Sequence, residues 1–77
     1  MNPDANDKKF DEIVGKHFPK GGKGWYHNYH GSVQLDGDYG IEELEQWIAV
    51  LKEYHQHMHD TLMAEGDVET AKTWLEV

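Results

Sequence analysis

The sequence predicts an α+β domain in the order α-β-β-α-α: a short N-terminal helix, a β-hairpin, one long amphipathic helix and a short C-terminal helix. Two observations carry this. Two short strand-forming runs, Trp25-Tyr26-His27-Asn28-Tyr29 and Val33-Gln34-Leu35, flank His30-Gly31, and after the turn Asp36-Gly37-Asp38-Tyr39-Gly40 the apolar period changes from 2 to 3.6. The chain is also short: 77 residues make a single domain, here residues 1–77, with one small core. A domain of that size buries only about 60% of its unfolded surface.

Residues 1–6 read as a flexible tail, after which Asp7 can cap a helix whose Phe10, Ile13, Val14 and His17 recur at i, i+3, i+4 and i+7. Pro19 ends it, and residues 19–24 form a Gly/Lys loop. Trp25 to Tyr29 and Val33 to Leu35 read as the two strands of a hairpin. Its register stays open. A two-residue turn at His30-Gly31 puts Tyr26, Val33 and Leu35 on one face, whereas a three-residue loop puts Trp25, His27, Val33 and Leu35 there, because a one-residue slip reverses every side chain.

From Ile41 to about Ala64 the positions Ile41, Leu44, Ile48, Leu51, His55, Met58 and Leu62 make one stripe, widened by Trp47 and Tyr54. At 1.5 Å per residue this helix would be about 36 Å long. Glu65-Gly66-Asp67 stops it, and Asp67 caps a last helix with Val68, Ala71, Trp74 and Leu75 on its apolar face. The stripe offers more apolar surface than a short helix and a two-stranded hairpin cover, and the hairpin has two free edges. Both point to a homodimer, made by antiparallel pairing of long helices through Leu44, Ile48, Leu51, His55 and Met58 or by joining hairpins; the alternative is a monomer in which the last helix folds back on the long one as an αα-hairpin.

Composition narrows the function. The chain has no Cys, which excludes disulfides and thiolate metal sites, and no stretch long and apolar enough to span a membrane, so a cytoplasmic protein is expected. Acidic residues number 15 against 7 basic ones, for a net charge of -8. All the basic residues are Lys, so the bidentate guanidinium forks suited to phosphate are missing and direct nucleic-acid binding is disfavoured. The charge is segregated: residues 1–30 hold five Lys against four acids, residues 31–77 two Lys against eleven.

No catalytic or cofactor motif survives inspection, and neither an enzyme nor a bound cofactor is expected. Asp36-Gly37-Asp38 resembles the start of a calcium loop, but the sixth and twelfth positions, which need Gly and Glu, are Ile41 and Trp47. Gly21-Gly22-Lys23-Gly24 lacks the frame of a phosphate-binding loop, and Ser32 beside His30 has no recognisable base and oxyanion hole. Six histidines are more notable. His55 and His59 lie one helical turn apart, as two zinc ligands can, but a third ligand would have to come from His27, His30 or Asp60. These residues define an alternative reading, a histidine-dependent metal-binding or pH-responsive dimeric module.

The stronger signal is acid on a rigid element. Glu42, Glu45, Glu53 and Asp60 share the polar side of the long helix, Glu43 lies on its flank, and Asp36 and Asp38 extend the patch across the preceding turn. Only Lys52 interrupts the acids between Asp36 and Glu69. Carboxylates one or two turns apart can imitate a row of phosphates about 7 Å apart and attract basic proteins. The segment Val33-Gln34-Leu35-Asp36-Gly37-Asp38-Tyr39-Gly40-Ile41-Glu42-Glu43-Leu44-Glu45, a strand turning through Asp-Gly-Asp into an acidic helix, resembles the small acidic proteins that bacteriophages make to disable host proteins. The likeness covers the middle and C-terminal two thirds of the chain. It implies a DNA-mimic inhibitor in the host cytoplasm, binding a basic nucleic-acid-handling host protein and occupying its nucleic-acid site. The Lys- and His-rich stretch from Lys16 to His30 departs from a uniformly anionic mimic.

Overall fold

The computed structural model describes residues 4–29 and 31–76, with side chains from residue 8 onward. The order is α-β-β-α-α: α1 (Asp4–His17), β1 (Trp25–Tyr29), β2 (Ser32–Asp36), α2 (Ile41–Ala64) and α3 (Val68–Trp74). Helix α1 begins three residues before the expected cap. Asp4, Ala5 and Asn6 are helical rather than tail, and Asp7 lies inside the first turn. No Gly or Pro interrupts residues 4–14, so nothing in the backbone delays the start.

The core is aromatic and lies between α1 and α2. Phe10, Ile13, Val14 and Phe18 pack against Trp47, Val50, Tyr54 and Met58, all buried, while Tyr26, Val33 and Leu35 of the hairpin close one side. Phe10 meets Tyr54 edge-on at 5.1 Å between ring centroids, and Trp47 lies 5.2 Å from Phe18 and 5.0 Å from Tyr26. Phe18 takes the position expected of His17, which is displaced to the edge of the core. One residue beyond the helix, Phe18 turns inward just before Pro19, while its backbone N–H still bonds the Val14 carbonyl.

The hairpin adopts the two-residue turn, with Tyr29 opposite Ser32 and Trp25 opposite Asp36. That register puts Tyr26, Asn28, Val33 and Leu35 inward and leaves Trp25 and Tyr29 exposed. His30, half of the turn, lies outside the described residues; Gly31 has φ of 101°. The Gly/Lys loop is tied down by Tyr39, whose hydroxyl reaches the carbonyls of Lys23 and Trp25 at 3.0 and 2.9 Å.

Helix α2 has the expected bounds but is rotated from the expected stripe. Its buried residues are Trp47, Val50, Tyr54 and Met58, whereas Ile41, Leu44 and Ile48 are 79%, 43% and 52% exposed. The physical reason is volume: Trp47 and Tyr54 bring the largest apolar surfaces of the helix, so burying their side gains most. At its C-terminus the Asp67 N–H bonds the Leu62 carbonyl and the Gly66 N–H that of Met63, a Schellman closure requiring the positive φ of Gly66. Asp67 then caps α3 by accepting from the Thr70 N–H. Helix α3 folds back on α2, burying Ala71 and part of Trp74, while Val68 and Leu75 stay largely exposed. No helix among the described residues is long and apolar enough to cross a membrane.

Candidate functional site: an acidic end and an uncovered apolar ridge

The acids expected to form one row divide into two groups. Glu53 leaves the row because α1 crosses beside it: the Lys16 ammonium lies 3.0 Å from Glu53 Oε2, and His17 Nε2 lies 2.9 Å from Oε1. Hydrogen bonding from His17, then from Lys16, holds the Glu53 carboxyl below its ordinary range. Asp60 accepts from the Gln56 amide at 2.9 Å and meets His59 Nδ1 at 3.1 Å, which lowers its pKa as well, the His59 contact contributing most. Glu43 accepts from the Gly40 N–H at 2.9 Å and so serves the start of α2.

Asp36, Asp38, Glu42 and Glu45 form the second group. They occupy the end of β2, the turn and the first turns of α2, all exposed, and none is paired with a cation among the described residues. The sequence places all seven acids on one polar surface. It does not reveal that the C-terminal part of that surface is answered by neighbours while the N-terminal part is left open.

Beside this acidic end runs the apolar ridge of Ile41, Leu44 and Ile48, exposed because α1 and the hairpin cover the opposite side of α2. The ridge leads into an open groove of about 720 Å³, lined by Val33, Ile48, Leu51, Trp74 and Leu75 together with His55 and Lys52. Of the expected dimer residues, Leu44 and Ile48 stand on the ridge and Leu51 and His55 line the groove. Met58 is a correction: at 7% exposure it belongs to the chain's own core and presents no surface to a partner.

The histidines do not converge. His55 Nδ1 lies 3.0 Å from the Trp74 carbonyl oxygen and Nε2 lies 2.6 Å from the Gly31 carbonyl oxygen, so both ring nitrogens are engaged. His59 turns to Asp60 instead, and His27 lies on the outer face of the hairpin, 6.4 Å from the Tyr29 ring. Among the described residues no three His, Asp or Glu are grouped as metal ligands; His30 lies outside them. The groove was missed in the sequence because it forms where the hairpin turn and the end of α3 meet α2, contacts that no local spacing encodes.

Comparison with protein families, with curated proteins and with solved structures finds no match to this chain.

Proposed function

We propose that this protein is a non-enzymatic binding protein that inhibits a basic, nucleic-acid-handling partner by occupying its nucleic-acid site, in the manner of the phage-made inhibitors it resembles, in the cytoplasm of a host cell. The observation that carries this reading is the acidic end: Asp36, Asp38, Glu42 and Glu45 are exposed and have no ion-pair partner among the described residues, while Glu53 is paired within the fold. A folded protein gains little from leaving four carboxylates together without counter-charges, since like charges repel. A basic partner relieves that repulsion and is drawn in by it.

The interacting acids are therefore fewer than the sequence suggests. Asp36, Asp38, Glu42 and Glu45 would face the partner, with Glu43 beside them, while Glu53 and Asp60 serve contacts inside the chain. Affinity arises mainly through faster encounter, screened over roughly 8 Å at physiological ionic strength.

The test is capture of partners from a bacterial lysate on the immobilised protein, at low and high salt. A triple variant with Asp36→Lys, Asp38→Lys and Glu42→Lys should lose the salt-sensitive capture while keeping its circular dichroism spectrum, because exposed charge changes alter stability by about 0.5 kcal/mol or less each. Captured protein should release DNA or RNA when this protein is added. Equal capture by the triple variant, or tight direct binding of DNA in a gel shift, would refute the reading.

A further inference from the structure

Self-complementarity is the most informative property of the uncovered surface. The ridge of Ile41, Leu44 and Ile48 lies on the N-terminal side of Ile48, and the groove walled by Val33, Leu51 and Trp74 lies on its C-terminal side. A two-fold axis near Ile48 would therefore bring the ridge of each copy onto the groove of the other. An isologous interface demands this arrangement, in which a projection and its receiving hollow sit at equal distances from the axis. The occupant is consequently a second copy of this chain.

Charge supports the same axis independently. Glu45 and Lys52 stand two helical turns apart on the same flank of the stripe, both exposed, and neither has an ion-pair partner among the described residues. When two identical helices pack antiparallel, each flank faces its own copy running in the opposite direction. Glu45 of one copy then stands opposite Lys52 of the other, and the pair occurs twice. A parallel arrangement would instead place Glu45 beside the other flank, where the large residues Trp47 and Tyr54 are already buried in each copy's own core. Lys52 is the one Lys between Asp36 and Glu69, and it is an exposed residue of the groove lining, on the side where the antiparallel axis needs it.

We infer that this protein forms an antiparallel two-fold dimer, in which Leu44 of each copy enters the groove over His55 of the other and Glu45 pairs with Lys52 across the seam. The α3 helix sets the extent of the seam: it covers the C-terminal half of the stripe, so the contact is confined to the segment from Ile41 to His55. Glu45 is the one acid that the seam shares with the acidic end; Asp36, Asp38 and Glu42 stay open to a basic partner when it is paired, so failure of the dimer leaves the proposed inhibitory function standing on those three, and the converse also holds.

Sedimentation equilibrium over a wide concentration range tests it, with circular dichroism as the folding control. The wild-type chain of 8.9 kDa should sediment at twice that mass at high concentration. Glu45→Lys and Lys52→Glu should each raise the dimer dissociation constant about tenfold, since each turns two attractive pairs into two repulsive ones. The double variant should dimerise as the wild type does. An equimolar mixture of the two single variants should also recover dimer, because every seam pair in the mixed species is then opposite in sign. Ile48→Glu should give a folded monomer. A wild-type chain that is monomeric at every concentration, or a dimer indifferent to both charge reversals, overturns the inference.

Discussion

Both ring nitrogens of His55 meet backbone carbonyl oxygens, of Trp74 at the end of α3 and of Gly31 in the hairpin turn. The ring thus joins three elements: α2, the hairpin turn and the end of α3. His55→Ala should therefore lower stability by about 1–3 kcal/mol, read from the urea midpoint. Gly31 supports the same junction: its φ of 101° disfavours any side chain, and a Cβ there would run into the Trp74 ring. Gly31→Ala should cost about 1–3 kcal/mol on backbone strain alone. Tyr26 shows burial acting on a single proton. Partial burial first, then the hydrogen bond it donates to Asp11 at 2.7 Å, push its hydroxyl from 10.0 up to about 12. A group whose pKa is raised on folding contributes stability below its unfolded value and loses it as pH rises through the folded one. Stability should thus fall between pH 10 and about 12, with one tyrosine ionising late in ultraviolet titration, and Tyr26→Phe should remove both effects.

At the scale of elements, α2 decides the architecture and also marks where sequence reading stops. Its bounds, the Gly66 closure and the Asp67 cap follow from local chemistry, and so does the order of the elements. Which face turns inward does not. Apolar residues cover more than half the circumference of α2, so Ile41, Leu44, Ile48 and Leu51 satisfy a helical stripe as well as Trp47, Val50, Tyr54 and Met58 do. The larger Trp47 and Tyr54 decide it by packing against Phe10 of α1 and Phe18 just beyond it, long-range contacts with no signature in spacing. The pairing of Glu53 with Lys16 and His17 is hidden for the same reason: it depends on α1 crossing α2, whereas the spacing of Glu42, Glu45 and Glu53 suggests one uniform row. This difference can be measured. Trp47, 2% exposed, should cost about 3–5 kcal/mol when replaced by Ala, comparable to the whole margin of a domain this small, and the variant should be largely unfolded by circular dichroism. Ile48→Glu, on the stripe the spacing favours equally, should keep the helical spectrum.

At the scale of the molecule, the distribution of charge governs how it responds to acid and to salt. Glu53 ties α1 to α2, and its depressed pKa means that this tie is present above the ordinary carboxylate value of 4.5 and is lost as pH falls below it through the folded value. Glu53→Gln should therefore be slightly less stable than wild type at neutral pH, by less than about 1 kcal/mol for so accessible a pair, and the two should converge in acid. Salt acts on longer distances and separates the two kinds of association. Two copies that each carry a net charge of -8 repel at long range, whereas the apolar ridge and the close Glu45–Lys52 contacts act only on touching. Added salt screens the long-range term first, over a Debye length of about 10 Å at 0.1 M. Self-association should consequently tighten as salt rises from low to physiological concentration, while capture of a basic partner, whose attraction is the same long-range field with the opposite sign, should weaken over that range. Sedimentation and lysate capture performed in one salt series would show opposite slopes. Slopes of the same sign would mean that the acidic end does not govern one of the two contacts, and the variants at Asp36, Asp38 and Glu42 would identify which.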